Sequence, residues 1–189
     1  MEADWEVEIG PEAPAIIIPW EGFIDLRTCP TADIHLIPEA AGNVQLREAL
    51  IRLNSREAGV FTSKCDLWWL TQEEIDKDEF GAEPANTECG FACYVDVLFL
   101  DAEKFVSFEC HETNVRRLTG VLKKLDLVDC RVDLVVRPAT VNSSPGYGLT
   151  IYAAGCGATP LLAERSWAQV LQVAAEATIT VSLPFSAGE

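Results

Sequence analysis

The chain has 189 residues, 49% of them hydrophobic, and a formal charge of −16 at neutral pH. That length suits one domain, spanning 1–189, with a sizeable core, and the composition excludes disordered and collagen-like chains. Acidity on this scale argues against nucleic acid and membranes as partners, since nucleic acid and anionic lipid surfaces are held by basic patches.

The charge is uneven along the chain. Residues 1–12 form an acidic N-terminal segment with five acids and no base, the opposite of a secretory leader with its basic start and apolar centre. The longest apolar stretches, 13–20 and 95–100, fall far short of the roughly 20 residues that cross a bilayer. The expected location is the cytoplasm. There the seven cysteines (Cys29, Cys65, Cys89, Cys93, Cys110, Cys130 and Cys156) are expected to stay free thiols and behave as small core hydrophobes.

Two short strands are predicted over 15–19 and 22–27, on either side of Trp20-Glu21. A helix follows over 44–54, where Leu46, Ala49, Leu50 and Leu53 recur at helical spacing. A strand is predicted over 60–70. Residues 71–90 then read as an exposed acidic loop between the two halves, with seven acids against Lys77 alone and Gly81 and Pro84 as breakers.

In the second half, 91–100 is a strongly apolar strand, with 105–108 a short partner strand. Val115, Leu118, Leu122 and Leu125 then make one stripe of a helix. Strands follow over 131–138 and 147–154, separated by a Ser/Pro/Gly turn. Thr159-Pro160 has the chemistry of a helix start, with Ala163, Trp167, Val170, Leu171 and Ala174 on the buried face. Alternation over 178–183 predicts a closing strand. The fold class expected is α+β: a mixed or mainly antiparallel sheet with helices largely on one face. The second half runs β-α-β-β-α-β, the ferredoxin-like order, after an extra β-α-β.

Few motifs carry chemistry. No phosphate loop, nucleophile elbow or C-x-x-C pair is present, and no cofactor is expected. Gly155-Cys156-Gly157 lacks the third glycine of a dinucleotide loop and reads as a tight strand-to-helix turn. Cys89, Cys93, Cys110 and His111 are the one group of residue types that suits zinc, although no recognised zinc pattern links them, and buried thiols are the preferred reading. Cys110 falls at a helix start, where the dipole favours thiolate, with His111 beside it; this pair is the catalytic candidate, opposed by Glu109 and Glu112.

Four aspartates sit between apolar neighbours on predicted strands: Asp25, Asp66, Asp96 and Asp133. Strand alternation turns each carboxylate away from its neighbours, so adjacent strands would gather them on one sheet face. Gathered, they would bind a divalent cation or another ligand; spread out, they are the ion-paired wet face of an antiparallel sheet, the preferred reading. Trp68 and Leu70 share the side of Asp66, which marks them as interface candidates: that face is expected to be partly covered by the N-terminal segment or by another subunit, with a homodimer the favoured version. The function expected is a non-enzymatic ligand- or protein-binding domain. The alternatives are an enzyme using the aspartates or a reactive cysteine, and a thiolate metal protein.

Overall fold

The computed structural model describes residues 1–183. Six strands form one mixed sheet: β1 (Glu2–Val7), β2 (Ile16–Ile18), β3 (Val60–Leu70), β4 (Cys89–Phe99), β5 (Cys130–Val141) and β6 (Ser144–Gly157). Their order is β1-β5-β6-β4-β3, with β2 also pairing β5. The pairs β3/β4, β4/β6 and β5/β6 are antiparallel, whereas β1 and β2 run parallel to β5. Among the described residues seven α-helices accompany them: α1 (Pro30–Asp33), α2 (Pro38–Gly42), α3 (Val44–Leu53), α4 (Lys77–Phe80), α5 (Ala102–Val106), α6 (Phe108–Leu122) and α7 (Pro160–Ser182). The α+β class stands, and among the described residues no helix is long and apolar enough to cross a membrane.

Alternation decides which sheet face is covered. Phe91, Cys93, Val95 and Val97 on β4, Val132, Leu134 and Val136 on β5, and Ile151 and Ala153 on β6 all point one way and are buried. Against them pack the apolar sides of α3, α6 and α7, including Leu50, Leu118 and the fully buried Trp167. Each of these three helices opens on a side-chain cap: Asn43 accepts from the Leu46 amide, Ser107 from that of Cys110, and Thr159, ahead of Pro160, from that of Leu162. α7 can lie directly on β6 because Gly155 has no side chain; a Cβ there would fall 2.1 Å from the Trp167 amide nitrogen. The glycines around Cys156 thus serve helix-on-strand contact.

Several local expectations are corrected. The closing strand over 178–183 is absent: those residues, up to Ser182, are the last turns of α7. The order after β4 is therefore α-α-β-β-α, without the final strand of the ferredoxin-like arrangement. The β-branched run is accommodated because Thr178 and Thr180 donate their hydroxyls to the carbonyls of Ala174 and Glu176, 2.7 and 2.8 Å away, within the helix. The strand predicted over 105–108 is helical as well. Asp101 accepts from the amides of Glu103 and Lys104 to start α5, and Ser107 restarts the chain as α6. Over 22–27 no strand forms; Asp25 holds the Arg27 amide at 3.1 Å and pairs with its guanidinium, a local turn that competes with extended pairing.

The acidic segments are also better ordered than their composition suggests. The N-terminal segment supplies β1, in register with residues 131–136 of β5. Residues 71–90 contain two 3₁₀ turns, Gln72–Glu74 and Pro84–Asn86, and the helix α4, and their last two residues open β4. Their acids remain at the surface while Phe80 and Ile75 are buried against Cys156, Leu70 and Ala154. Burying a Phe stabilises by roughly 1.5–3 kcal/mol. That anchors the segment without any carboxylate leaving water.

Candidate functional site

The second sheet face carries no long helix. One end is covered by residues 16–39, the N-terminal flap, where Ile16 reaches Gly148 and Leu98. The other end is covered by Ile75 and Phe80. Between these flaps the sheet is open, and the register specifies what it displays. Asp4, Asp133, Tyr152, Tyr94 and Asp66 form one row across five strands. The next row contains Glu6, Val135, Thr150 and Asp96. Trp68 extends the aromatic character, with ring centroids 6.4 Å from Tyr94, which is 6.0 Å from Tyr152.

A polar network runs through this surface. Thr150 donates to Asp96 at 2.6 Å, and Arg137 donates to Thr150 and Tyr152, both at 3.2 Å, and to Glu8 at 2.7 Å. Arg131 bridges Asp133 and Glu79. Burial pushes the Asp96 carboxyl above the ordinary aspartate range, only partly offset by the Thr150 hydrogen bond and the charges of Arg137 and Lys64. Asp133 is raised for the same reason, against the pull of Arg131. The Tyr94 hydroxyl is pushed up to about 12 by burial and then by the nearby Asp96 and Asp66.

Beside Tyr94 the open face deepens into a cleft of about 510 Å³ between β3 and the N-terminal flap. Apolar walls come from Trp20, Ile24, Leu36, Ile37 and Pro38; Glu39, Ser63, Lys64 and Asp66 supply polar groups. Specific sites for small molecules have this size and composition: about 300–1,000 Å³, mostly apolar, with a few placed polar groups. The Lys64 ammonium sits 5.1 Å from the Trp20 ring centroid, and Phe23 meets the indole edge-on at 6.3 Å. A register shift in β3 between Thr62 and Cys65 places Ser63 and Lys64 here.

Of the four aspartates singled out from sequence, three share the open face. Asp66 and Asp133 are three strands apart in one row, roughly 14 Å, and Asp96 lies in the adjacent row. Asp25 is off the sheet, paired with Arg27. Among the described residues no three His, Cys, Asp or Glu side chains group as metal ligands.

The cysteine set is dispersed. Cys89 opens β4 and Cys93 follows four residues on, whereas His111 packs 4.8 Å from the ring of Phe99, at the strand's far end roughly 33 Å away. Cys110 is half-buried at the first turn of α6. His111 is buried, and desolvation holds its imidazole below the ordinary histidine value. Trp68 is half-buried on the open face. Leu70 packs within the chain, near Ile75 and Phe80. Trp20, Ser63 and Lys64 belong to no sequence motif; the turn signal beside Trp20 is Gly22, which takes φ +89°.

Comparison with protein-family models, with curated proteins and with solved structures finds no match for this chain.

Proposed function

We propose that this is a non-enzymatic ligand-binding protein of the cytoplasm, taking a small molecule in the cleft between β3 and the N-terminal flap. One observation carries the reading: a concavity of about 510 Å³ combines an aromatic and aliphatic wall with a few polar side chains, on a sheet face that the helices leave open. Next to the cleft, the open face carries a hydrogen-bonded network of Thr150, Asp96 and Arg137. A reducing compartment suits seven unpaired cysteines.

The test is a fragment screen monitored by amide chemical shifts. Binders are expected to perturb residues around Trp20, Ser63, Lys64 and Tyr94 together. A diverse set of charged and neutral fragments that perturbs none of these positions would overturn the reading.

A further inference from the structure

The open sheet face extends well beyond the cleft. Tyr94 lines the cleft, and Tyr152, its neighbour at 6.0 Å, lines a second hollow of about 400 Å³ towards β1. Together they make a trough that crosses the strands between the two flaps. Its floor is the row Asp66, Tyr94, Tyr152, Asp133 and Asp4, roughly 19 Å from β3 to β1. An extended chain covers that length in about six residues, whereas the cleft occupies only the β3 end.

Charge selects the occupant. Asp4, Glu6, Glu8, Asp66, Asp96 and Asp133 outnumber Arg131, Arg137 and Lys64 along the trough. The two arginines are already committed, Arg137 to Glu8 and Arg131 to Asp133 and Glu79. Asp4 has one exposed pair, with Lys123. Among the described residues Glu6 and Asp66 have no basic group within ion-pair distance, and they stand at opposite edges of the sheet. Like charge disfavours nucleic acid and a second copy of this face. Between the acids lie the half-buried rings of Tyr94 and Tyr152, on which a guanidinium can stack. The molecule already makes that contact: the Arg137 guanidinium is 5.6 Å from the Tyr152 ring centroid.

We propose that this trough docks an extended, arginine-bearing segment of a partner protein, which crosses the strands from Asp66 to Asp4 and Glu6 and rests a guanidinium on the Tyr94–Tyr152 pair. The spacing follows from the register. At about 3.3 Å per residue, a basic residue over Asp66 is followed by one over the tyrosine pair two positions on, and by one over Asp4 and Glu6 six positions on. The position between them meets Arg131 and needs no charge. The docking surface goes beyond the small-molecule cleft and does not depend on a ligand entering it.

The experiment is isothermal titration of the full chain, at about 0.15 M salt, with acetyl-Arg-Ala-Arg-Ala-Ser-Ala-Arg-amide. Its controls are acetyl-Arg-Arg-Arg-Ala-Ser-Ala-Ala-amide, which has the same charge but cannot reach both edges, and spermine. The spaced peptide is expected to bind roughly fivefold tighter than the compact one, the upper worth of one exposed ion pair. Removing both unpaired charges, with Asp66→Asn and Glu6→Gln together, is expected to weaken it roughly tenfold. Removing two exposed charges from the helix side, with Glu109→Gln and Glu164→Gln, is expected to weaken it less than about twofold, because salt screens them. Tyr94→Leu is expected to weaken the arginine peptide more than its lysine counterpart. Circular dichroism checks the folding of each variant.

The docking surface falls if neither peptide binds, if the two bind equally, or if the two charge-removing pairs weaken binding alike. It falls also if Tyr94→Leu leaves the affinity of the arginine peptide unchanged. Spermine binding more tightly than the spaced peptide would replace a protein segment by a free oligoamine and overturn the inference. None of these outcomes alters the fragment test of the cleft. Failure here leaves the cleft reading standing, and a cleft that takes no fragment leaves the docking surface standing.

Discussion

Thr150 donates its hydroxyl hydrogen to Asp96 Oδ1 at 2.6 Å across the β4–β6 ladder, where Thr150 is fully buried and Asp96 is 7% exposed. A carboxylate with so little water is held above its ordinary range chiefly by its own burial. Relative to the unfolded chain, folding therefore favours the protonated form of Asp96. Its contribution to stability is greatest below the aspartate range and declines as pH rises through that range and the raised folded value.

Asp96→Asn keeps an oxygen to accept from Thr150 and removes the charge. The variant is expected to melt a few degrees above the wild type at about pH 7.5, the response to about 1 kcal/mol in a chain of this size. That advantage is expected to shrink towards about pH 4, where the wild-type carboxyl becomes protonated. Calorimetric melting at both pH values checks the sign. A variant that melts lower at about pH 7.5 would mean that Arg137 and Lys64 more than compensate the buried charge.

Asn54 joins α3 to β3. Its amide group donates to the Leu50 carbonyl at 2.8 Å and to Thr62 Oγ1 at 2.7 Å, and its oxygen accepts from the Thr62 amide at 3.0 Å. All three bonds are buried. Asn54→Ala is expected to cost about 2–3 kcal/mol, because buried partners are left unpaired in addition to the bonds lost. Urea unfolding with an unchanged m-value measures it. A loss below about 0.5 kcal/mol would mean that water replaces the amide.

Two glycine substitutions should separate close packing from helix propensity. At Gly155 an added Cβ meets backbone atoms of Ser166 and Trp167 at 2.7 Å and less, so Gly155→Ala must lift α7 from β6 and is expected to cost about 3 kcal/mol or prevent folding. Gly120 lies in α6 with nothing within 4 Å of its added Cβ. Gly120→Ala is expected to stabilise by roughly 0.5–1 kcal/mol through the lower entropy of the unfolded chain. Equal effects at the two sites would contradict the contact between α7 and β6.

Thiol reactivity should follow burial. Desolvation pushes the thiols of Cys65, Cys93 and Cys156 up to about 12 and that of Cys130 up to about 11, so they hold almost no thiolate at neutral pH. Cys29 is exposed, and Cys89 and Cys110 are half-buried. Brief alkylation followed by mass spectrometry should label Cys29 first and leave Cys93, Cys130 and Cys156 unmodified until the chain unfolds. In denaturant without reductant all seven should react. If Cys110 outpaces Cys29, the helix start activates its thiol beyond what exposure explains.

Much of the architecture was legible in the residues themselves. Period-3.6 spacing of Leu46, Ala49, Leu50 and Leu53, and Thr159-Pro160 before Trp167, located α3 and the start of α7, since a buried helix side and a capped first turn are local requirements. Alternation placed Asp66, Asp96 and Asp133 opposite their apolar neighbours, and they do share one face. Local pattern failed where two periods coincide: 178–183 alternates, yet the preceding helix continues through it because threonine hydroxyls find carbonyls one turn back. It failed again where polar caps at Asp101 and Ser107 outweighed β-propensity around Phe105. The cleft was decided by tertiary structure alone. Trp20 and Lys64 are 44 positions apart, and they meet only because the chain after β2, which pairs β5 at one edge of the sheet, crosses the open face to β3 at the other edge. Alternation states which side a residue faces, but strand order and register come from burying many distant surfaces at once, and no short stretch of chain encodes that sum.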